Sequence, residues 1–198
     1  MMKSVSPAKV NVPHDKRIAV CVSGGWDSAV LWHIVYTECK KRRQSCRPYT
    51  VPKEDGAVGH ANNVLRWSGY DGETNIIGSI ESENPSDHVK SGVIEILECG
   101  HADVVYSAVN KYYDGMNPDH SRVLTKGTPF EEIVRQPFSE YTKDVIVQMA
   151  FDLGIADDLM SITHSCTERE DGRCGYCAWC KERQWAFEKI KKEDKGVN

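Results

Sequence analysis

The chain has 198 residues, of which 40% are hydrophobic and 27% charged, and a formal net charge of −4. That length suits one α/β domain with a core and a small appendage, and the acidic balance argues against a protein that coats nucleic acid. Residues 1–16 hold no apolar run of the signal-peptide kind, and no stretch of about 18 apolar residues occurs. The expectation is a cytoplasmic protein without a membrane span.

Strand and helix patterns alternate along the chain. The order predicted is strand 17–23, helix 27–41, strand 47–52, helix 57–68, strand 74–80, helix 86–99 and strand 103–109. After a loop come a strand near 132–137, a helix over 141–153, a cysteine-rich segment and a last helix over 180–193. Such alternation implies an open parallel sheet with helices on both faces and right-handed crossovers. The run Lys40-Lys41-Arg42-Arg43 falls where the first helix should end, and cations there complement the helix dipole. The charged tail from Lys189 onward is expected to fray. The organisation predicted is a nucleotide-binding domain over 1–160 and a metal-binding segment with a C-terminal helix over 161–198, packed as one unit.

The stretch Val20-Cys-Val-Ser-Gly-Gly-Trp-Asp-Ser28 changes character in its middle. A strand, a glycine turn and a helix start place bare backbone N–H groups and a positive dipole end at the carboxyl edge of a sheet, where such folds bind ligands. Gly24 and Gly25 let phosphate oxygens approach the main chain, and Ser23 and Ser28 add hydroxyl donors. Asp27 cannot hold a phosphate directly, so a magnesium ion bridging it to ATP phosphates is the role its carboxylate fits. A plain capped turn accounts for one of these residues but not for the whole run. Neither G-x-x-x-x-G-K nor G-x-G-x-x-G follows the first strand, which excludes the two commoner phosphate loops.

Four of the eight cysteines, Cys166, Cys174, Cys177 and Cys180, crowd into one short segment. In a chain without an export signal this spacing reads as a metal site before a disulfide framework. Four thiolates suit a tetrahedral zinc ion with no open position, hence a structural one. Gly175 lies inside the knuckle, and His164 is a possible substitute ligand. An iron–sulfur cluster or a redox pair is the rival reading.

Ser23-Gly-Gly-Trp-Asp-Ser28 resembles the S-G-G-x-D-S pyrophosphatase loop of enzymes that split ATP between its α and β phosphates, with Trp26 at a position where that family often has an aliphatic residue. Taken with Ser165-Cys166 and Cys174-Gly-x-Cys177-x-x-Cys180, the loop resembles that of the 7-cyano-7-deazaguanine synthase family. Thr163, Arg183 and Ala186-Phe187 extend the likeness, as do Pro137-Phe138, Thr142-Lys143 and Leu153-Gly154 upstream. Val109-Asn110 and Pro118-Asp119 match in part, with His120 where the family usually has cysteine and Arg122 displaced by one position. The sequence departs from the family after the second strand, where Thr50 to Leu65 lacks G-Q-x-H, and at Glu83 to His88, which lacks an R-N pair.

The resemblance implies a Rossmann-like fold of the adenine-nucleotide α-hydrolase kind with a small zinc-binding element at the C-terminal end. It further implies ATP-dependent conversion of 7-carboxy-7-deazaguanine and ammonia to 7-cyano-7-deazaguanine through an adenylated intermediate. AMP and pyrophosphate would leave, with ADP-type cleavage as the variant. Asp27 and Lys143 would be the catalytic residues, and Asn110 and Asp119 would contact the substrate. ATP, Mg²⁺ and a structural Zn²⁺ would be the cofactors, and a homodimer the assembly. Lys143 reads equally well as a solvated surface lysine. His60, His101 and His120 are the possible general bases, none marked out by its sequence setting. Two alternatives remain: amidation or sulfur transfer on another acceptor such as a nucleobase, and a nucleotide-binding module without catalysis. Direct nucleic-acid binding is not expected, since residues 166–198 carry eight Lys and Arg against seven Asp and Glu.

Overall fold

The computed structural model describes residues 10–53, 55–78, 85–116 and 124–196, with residues 85 and 86 described by backbone alone. Five strands, β1 (Ile18–Cys21), β2 (Cys46–Thr50), β3 (Asn75–Ile76), β4 (Val104–Tyr106) and β5 (Val134–Arg135), form one sheet in the order β3-β2-β1-β4-β5. Every pairing is parallel; Ile18 stands opposite both Cys46 and Val104. The chain therefore starts at the middle of the sheet, builds outward to one edge, then returns to build the other. Such a reversal opens a crevice beyond the carboxyl end of the central strand.

Side chains alternate along the central strands as a sheet covered on both faces requires. Ile18, Val20, Val104 and Tyr106 belong to one buried cluster, Ala19 and Val105 to the other. On the first face lie α1 (Trp26–Lys41), α2 (Ala57–Trp67), α4 (Lys143–Asp152), α5 (Ala156–Ile162) and α6 (Ala178–Lys189). On the second, α3 (Pro85–Glu98) lays Val93 and Ile96 over Ala19, Val105 and Val134. The expected α/β architecture with helices on both faces is the one found.

Three expectations need correction. The third strand is two residues long, not seven, because Gly78 takes a φ of +76° and its N–H bonds to the Glu95 carboxylate at 2.9 Å. A helix unread in the sequence, α5, follows Gly154, whose φ of +71° ends α4 and lets the chain turn at once into a new one. The last helix stops at Lys189, and the tail as far as Gly196 is tied to the body of the fold. Asp194 pairs with Arg183 at 2.8 Å and Arg173 at 2.7 Å, and Lys195 N–H meets the Met160 sulfur at 3.4 Å. The basic run at the end of α1 behaves as read: Arg42 pairs with Glu38 at 2.5 Å and donates to the Val12 carbonyl at 2.7 Å.

Candidate nucleotide site and cysteine cluster

The turn after β1 is held by hydrogen bonds of its own. Val22 N–H bonds to the Tyr49 carbonyl at 2.8 Å, which carries the β1–β2 ladder one residue beyond the strand. The Ser28 hydroxyl then donates to the Gly25 carbonyl at 3.0 Å and accepts from Ser23 N–H at 3.1 Å, with the Ser23 hydroxyl also 3.1 Å away. Gly25 is the N-cap of α1 and contributes no side chain to cap it, so the first-turn N–H groups at the sheet edge have no side-chain acceptor from that position. Gly24 has a φ of +77°, and a Cβ there would lie 2.3 Å from the His60 Cβ and 2.7 Å from Ala61 N. Gly24→Ala should thus destabilise the fold by about 1–3 kcal/mol through a left-handed backbone and overlap with α2. Gly25→Ala, whose Cβ meets nothing closer than 3.4 Å, should change the denaturation midpoint much less; equal midpoints for the two would refute the packing argument.

Trp26, the bulky residue of the loop, is fully buried against α6. Its ring meets Phe187 edge to face at 5.1 Å between centroids, and the Arg183 guanidinium lies 5.1 Å from its centre. Arg183 in turn donates to the Thr163 carbonyl at 3.1 Å and hydroxyl at 3.0 Å. The loop is also held by His164, whose N–H bonds to the Gly24 carbonyl at 3.0 Å.

Lys143 is the first residue of α4, and it is buried rather than solvated. Its ammonium sits 3.1 Å from Asp27 and 2.8 Å from Glu182, a carboxylate with no exposed surface. Burial by itself lowers the Lys143 pKa, but the two carboxylates outweigh it and hold it above the ordinary lysine value. Residues far apart in sequence thus meet as one charged group: Asp27 from α1, Lys143 from α4 and Glu182 from α6. Glu182 is the member that sequence reading missed. No local pattern marked it, since an acid two residues past Cys180 on a helix reads as a solvated one.

Asn110 is buried on the loop that follows β4. Lys111 N–H bonds to the Tyr141 carbonyl at 2.8 Å, which ties this loop to the approach to Lys143. Tyr113 stacks on Trp185 of α6 at 4.3 Å. Asp119, His120 and Arg122 lie outside the described residues. Of the histidines, His60 and His164 stack at 4.1 Å and use ring nitrogens on the Glu170 and Arg169 carbonyls, at 2.9 and 2.7 Å. His101 lies against Tyr49 at 6.3 Å. Burial pushes the Cys21 thiol up to about 12, so it is not a thiolate nucleophile at neutral pH.

The sulfurs of Cys166, Cys174, Cys177 and Cys180 lie within 4.8 Å of one another. Four bonds of about 2.3 Å to one tetrahedral ion set sulfurs roughly 3.8 Å apart, and Cys174 and Cys180 are 3.9 Å apart. Gly175 turns the knuckle at a φ of +76°, and N–H groups of Cys177 and Cys180 point at the sulfurs of Cys174 and Cys177, at 3.2 and 3.4 Å. Such donors stabilise thiolates, so the donor set fits a soft metal ion. His164 is not among the grouped ligand atoms.

A family model described as "Queuosine biosynthesis protein QueC" matches residues 97–191, the part of the chain that holds Asn110, Lys143, Glu182 and the four cysteines. That segment is similar to the family. Two 7-cyano-7-deazaguanine synthases, from Campylobacter jejuni subsp. jejuni and subsp. doylei, are each 28% identical to this chain over 120 residues. That match takes in 61% of this chain and 50% of theirs, so it spans about half the length of these curated relatives. NMN synthetase from Francisella tularensis shares the fold, with a TM-score of 0.53 at 12% identity over 89% of this chain and 78% of that one. Among the described residues, no helix is long and apolar enough to cross a membrane.

Proposed function

We propose that this protein uses ATP to convert 7-carboxy-7-deazaguanine and ammonia into 7-cyano-7-deazaguanine. What most supports the reading is the meeting, at the carboxyl edge of the central strand, of the 23–28 turn with Lys143 and Asp27, 3.1 Å apart, in a chain whose 97–191 segment matches the family. In the proposed reaction a substrate carboxylate oxygen attacks the α-phosphorus of ATP and pyrophosphate leaves. Ammonia then displaces AMP to give an amide. The amide oxygen then attacks the α-phosphorus of a second ATP with release of a second pyrophosphate, and loss of AMP with the two amide protons leaves the nitrile. The chain's part is placement and charge stabilisation. The α1 N-terminus and the turn amides receive phosphate oxygens, the Lys143 ammonium faces charge growing on the departing pyrophosphate, and Asn110 lines the substrate side. Asp27 would hold Mg²⁺, which supplies charge neutralisation on the phosphates.

The same proposal gives the cysteine cluster a structural zinc ion. A multi-iron cluster interposes its own sulfides and sets its cysteine sulfurs further apart than one ion does, whereas these four lie within 4.8 Å. A homodimer in the cytoplasm completes the proposal.

The test is an assay of purified protein with ATP, Mg²⁺, ammonium and 7-carboxy-7-deazaguanine, read by mass spectrometry. Nitrile formed together with AMP is the expected result, and Asp27→Asn should abolish both while its circular dichroism stays that of the parent. AMP without nitrile would mean another acceptor. Neither product would mean a binding module without catalysis.

A further inference from the structure

Among the described residues Lys143 has two carboxylate neighbours, and they are not equivalent. Asp27 stands in the first turn of α1 beside the nucleotide turn, with 16% of its side chain exposed; Glu182 is wholly enclosed and closer, at 2.8 Å against 3.1 Å. If Asp27 serves a divalent cation arriving with the nucleotide, it must give up the ammonium it now holds. A buried lysine left with no counter-ion would oppose that exchange, because an unpaired charge away from water is costly. Glu182 removes the obstacle. It is anchored on α6, the helix that leaves the cysteine knuckle at Cys177 and whose next residue, Arg183, is locked by Thr163 and Asp194. This carboxylate is therefore carried by a helix that is also held outside the nucleotide turn, through Thr163 and Asp194.

We propose that Glu182 is the standing counter-ion of Lys143, a positioning residue that keeps the ammonium at the turn and frees Asp27 for the cation. This rests on reading residues 23–28 as the nucleotide turn. In this role Glu182 acts through Lys143, whose ammonium lies 2.8 Å away.

The test is calorimetric binding of α,β-methylene-ATP, which cannot be split between those phosphates, with the full chain. Titrations are run with Mg²⁺ over a range of concentrations and with EDTA. In Glu182→Gln, Lys143 has only Asp27 and holds it back, so half-saturation should need about tenfold more Mg²⁺. Mg²⁺-free binding should be unchanged or tighter, since the group has lost one negative charge. A general packing defect would instead weaken both. In a Lys143→Gln background, where the two neutral side chains can still bond each other, adding Glu182→Gln should move the Mg²⁺ requirement by less than about twofold. A parent-like requirement in Glu182→Gln, an equal loss with and without Mg²⁺, or the same shift in both backgrounds would overturn the proposal. Failure of the parent protein to bind the analogue would instead overturn the nucleotide reading itself, and that titration comes first.

Discussion

Replacing Lys143 with Met should cost this protein about 3–5 kcal/mol of stability and, under the proposed function, all ATP cleavage. The side chain fits the space, so the loss is electrostatic. Removing one member of a buried ionic group leaves the remainder uncompensated, and that is where the larger penalties of this kind arise. Here two carboxylates, Asp27 and the wholly buried Glu182, would face each other with their shared ammonium gone. Against a total folding free energy of about 5–15 kcal/mol the variant is marginal, with a melting point roughly 6–20 °C lower. Adding Glu182→Gln should recover part of the loss by removing the more deeply buried charge. The parent protein carries the complementary signature at alkaline pH. A lysine whose folded pKa lies above its ordinary 10.5 contributes stability that is complete below that value and is lost as pH rises through the folded one. Denaturant midpoints should therefore fall above about pH 10.5, and the Lys143→Met variant should lack that component. A variant as stable as the parent would show that the group is solvated enough to rearrange.

Why Glu182 escaped sequence reading while Asp27 did not is a matter of periodicity. Asp27 sits in a local motif whose residues are neighbours in space because they are neighbours in sequence, and the turn chemistry of Ser23, Gly24 and Ser28 is legible for the same reason. The alternation of apolar segments likewise specified a parallel sheet, since residues such as Val104 and Val105 must bury opposite faces. Glu182 acquires its meaning from α4 and α1, which no local pattern records; on a helix it looks like an ordinary solvated acid. Lys143 was undecided for the same reason until its partners were known. The tail was misread because charge was taken for exposure, when Asp194 is in fact paired with two arginines. Trp26 shows the opposite case. Its size is out of keeping with a phosphate turn but suited to packing against Phe187 beneath Arg183.

Loss of the proposed metal should have the widest effect of any single change. Cys177 caps α6, accepts from the Cys180 N–H at 3.4 Å, and is 9% exposed. Cys177→Ser leaves three thiolates, and a structural ion of this kind contributes on the order of 10 kcal/mol to local folding. Elemental analysis should find about one zinc per chain in the parent and little in the variant, whereas Cys99→Ser, at an exposed cysteine, should leave the metal content unchanged. Iron with visible absorbance would overturn the zinc assignment. The start of α6 carries Glu182 and Arg183, and the segment before Cys166 holds the nucleotide turn through the His164–Gly24 bond of 3.0 Å. Stripping the metal should therefore weaken nucleotide binding as well as lower the melting point, although no cysteine belongs to the turn. If Cys177→Ser lost its metal but kept the parent's affinity for nucleotide, the Trp26–Phe187–Arg183 packing would be sufficient to hold the site, and the knuckle would serve only its own end of the fold.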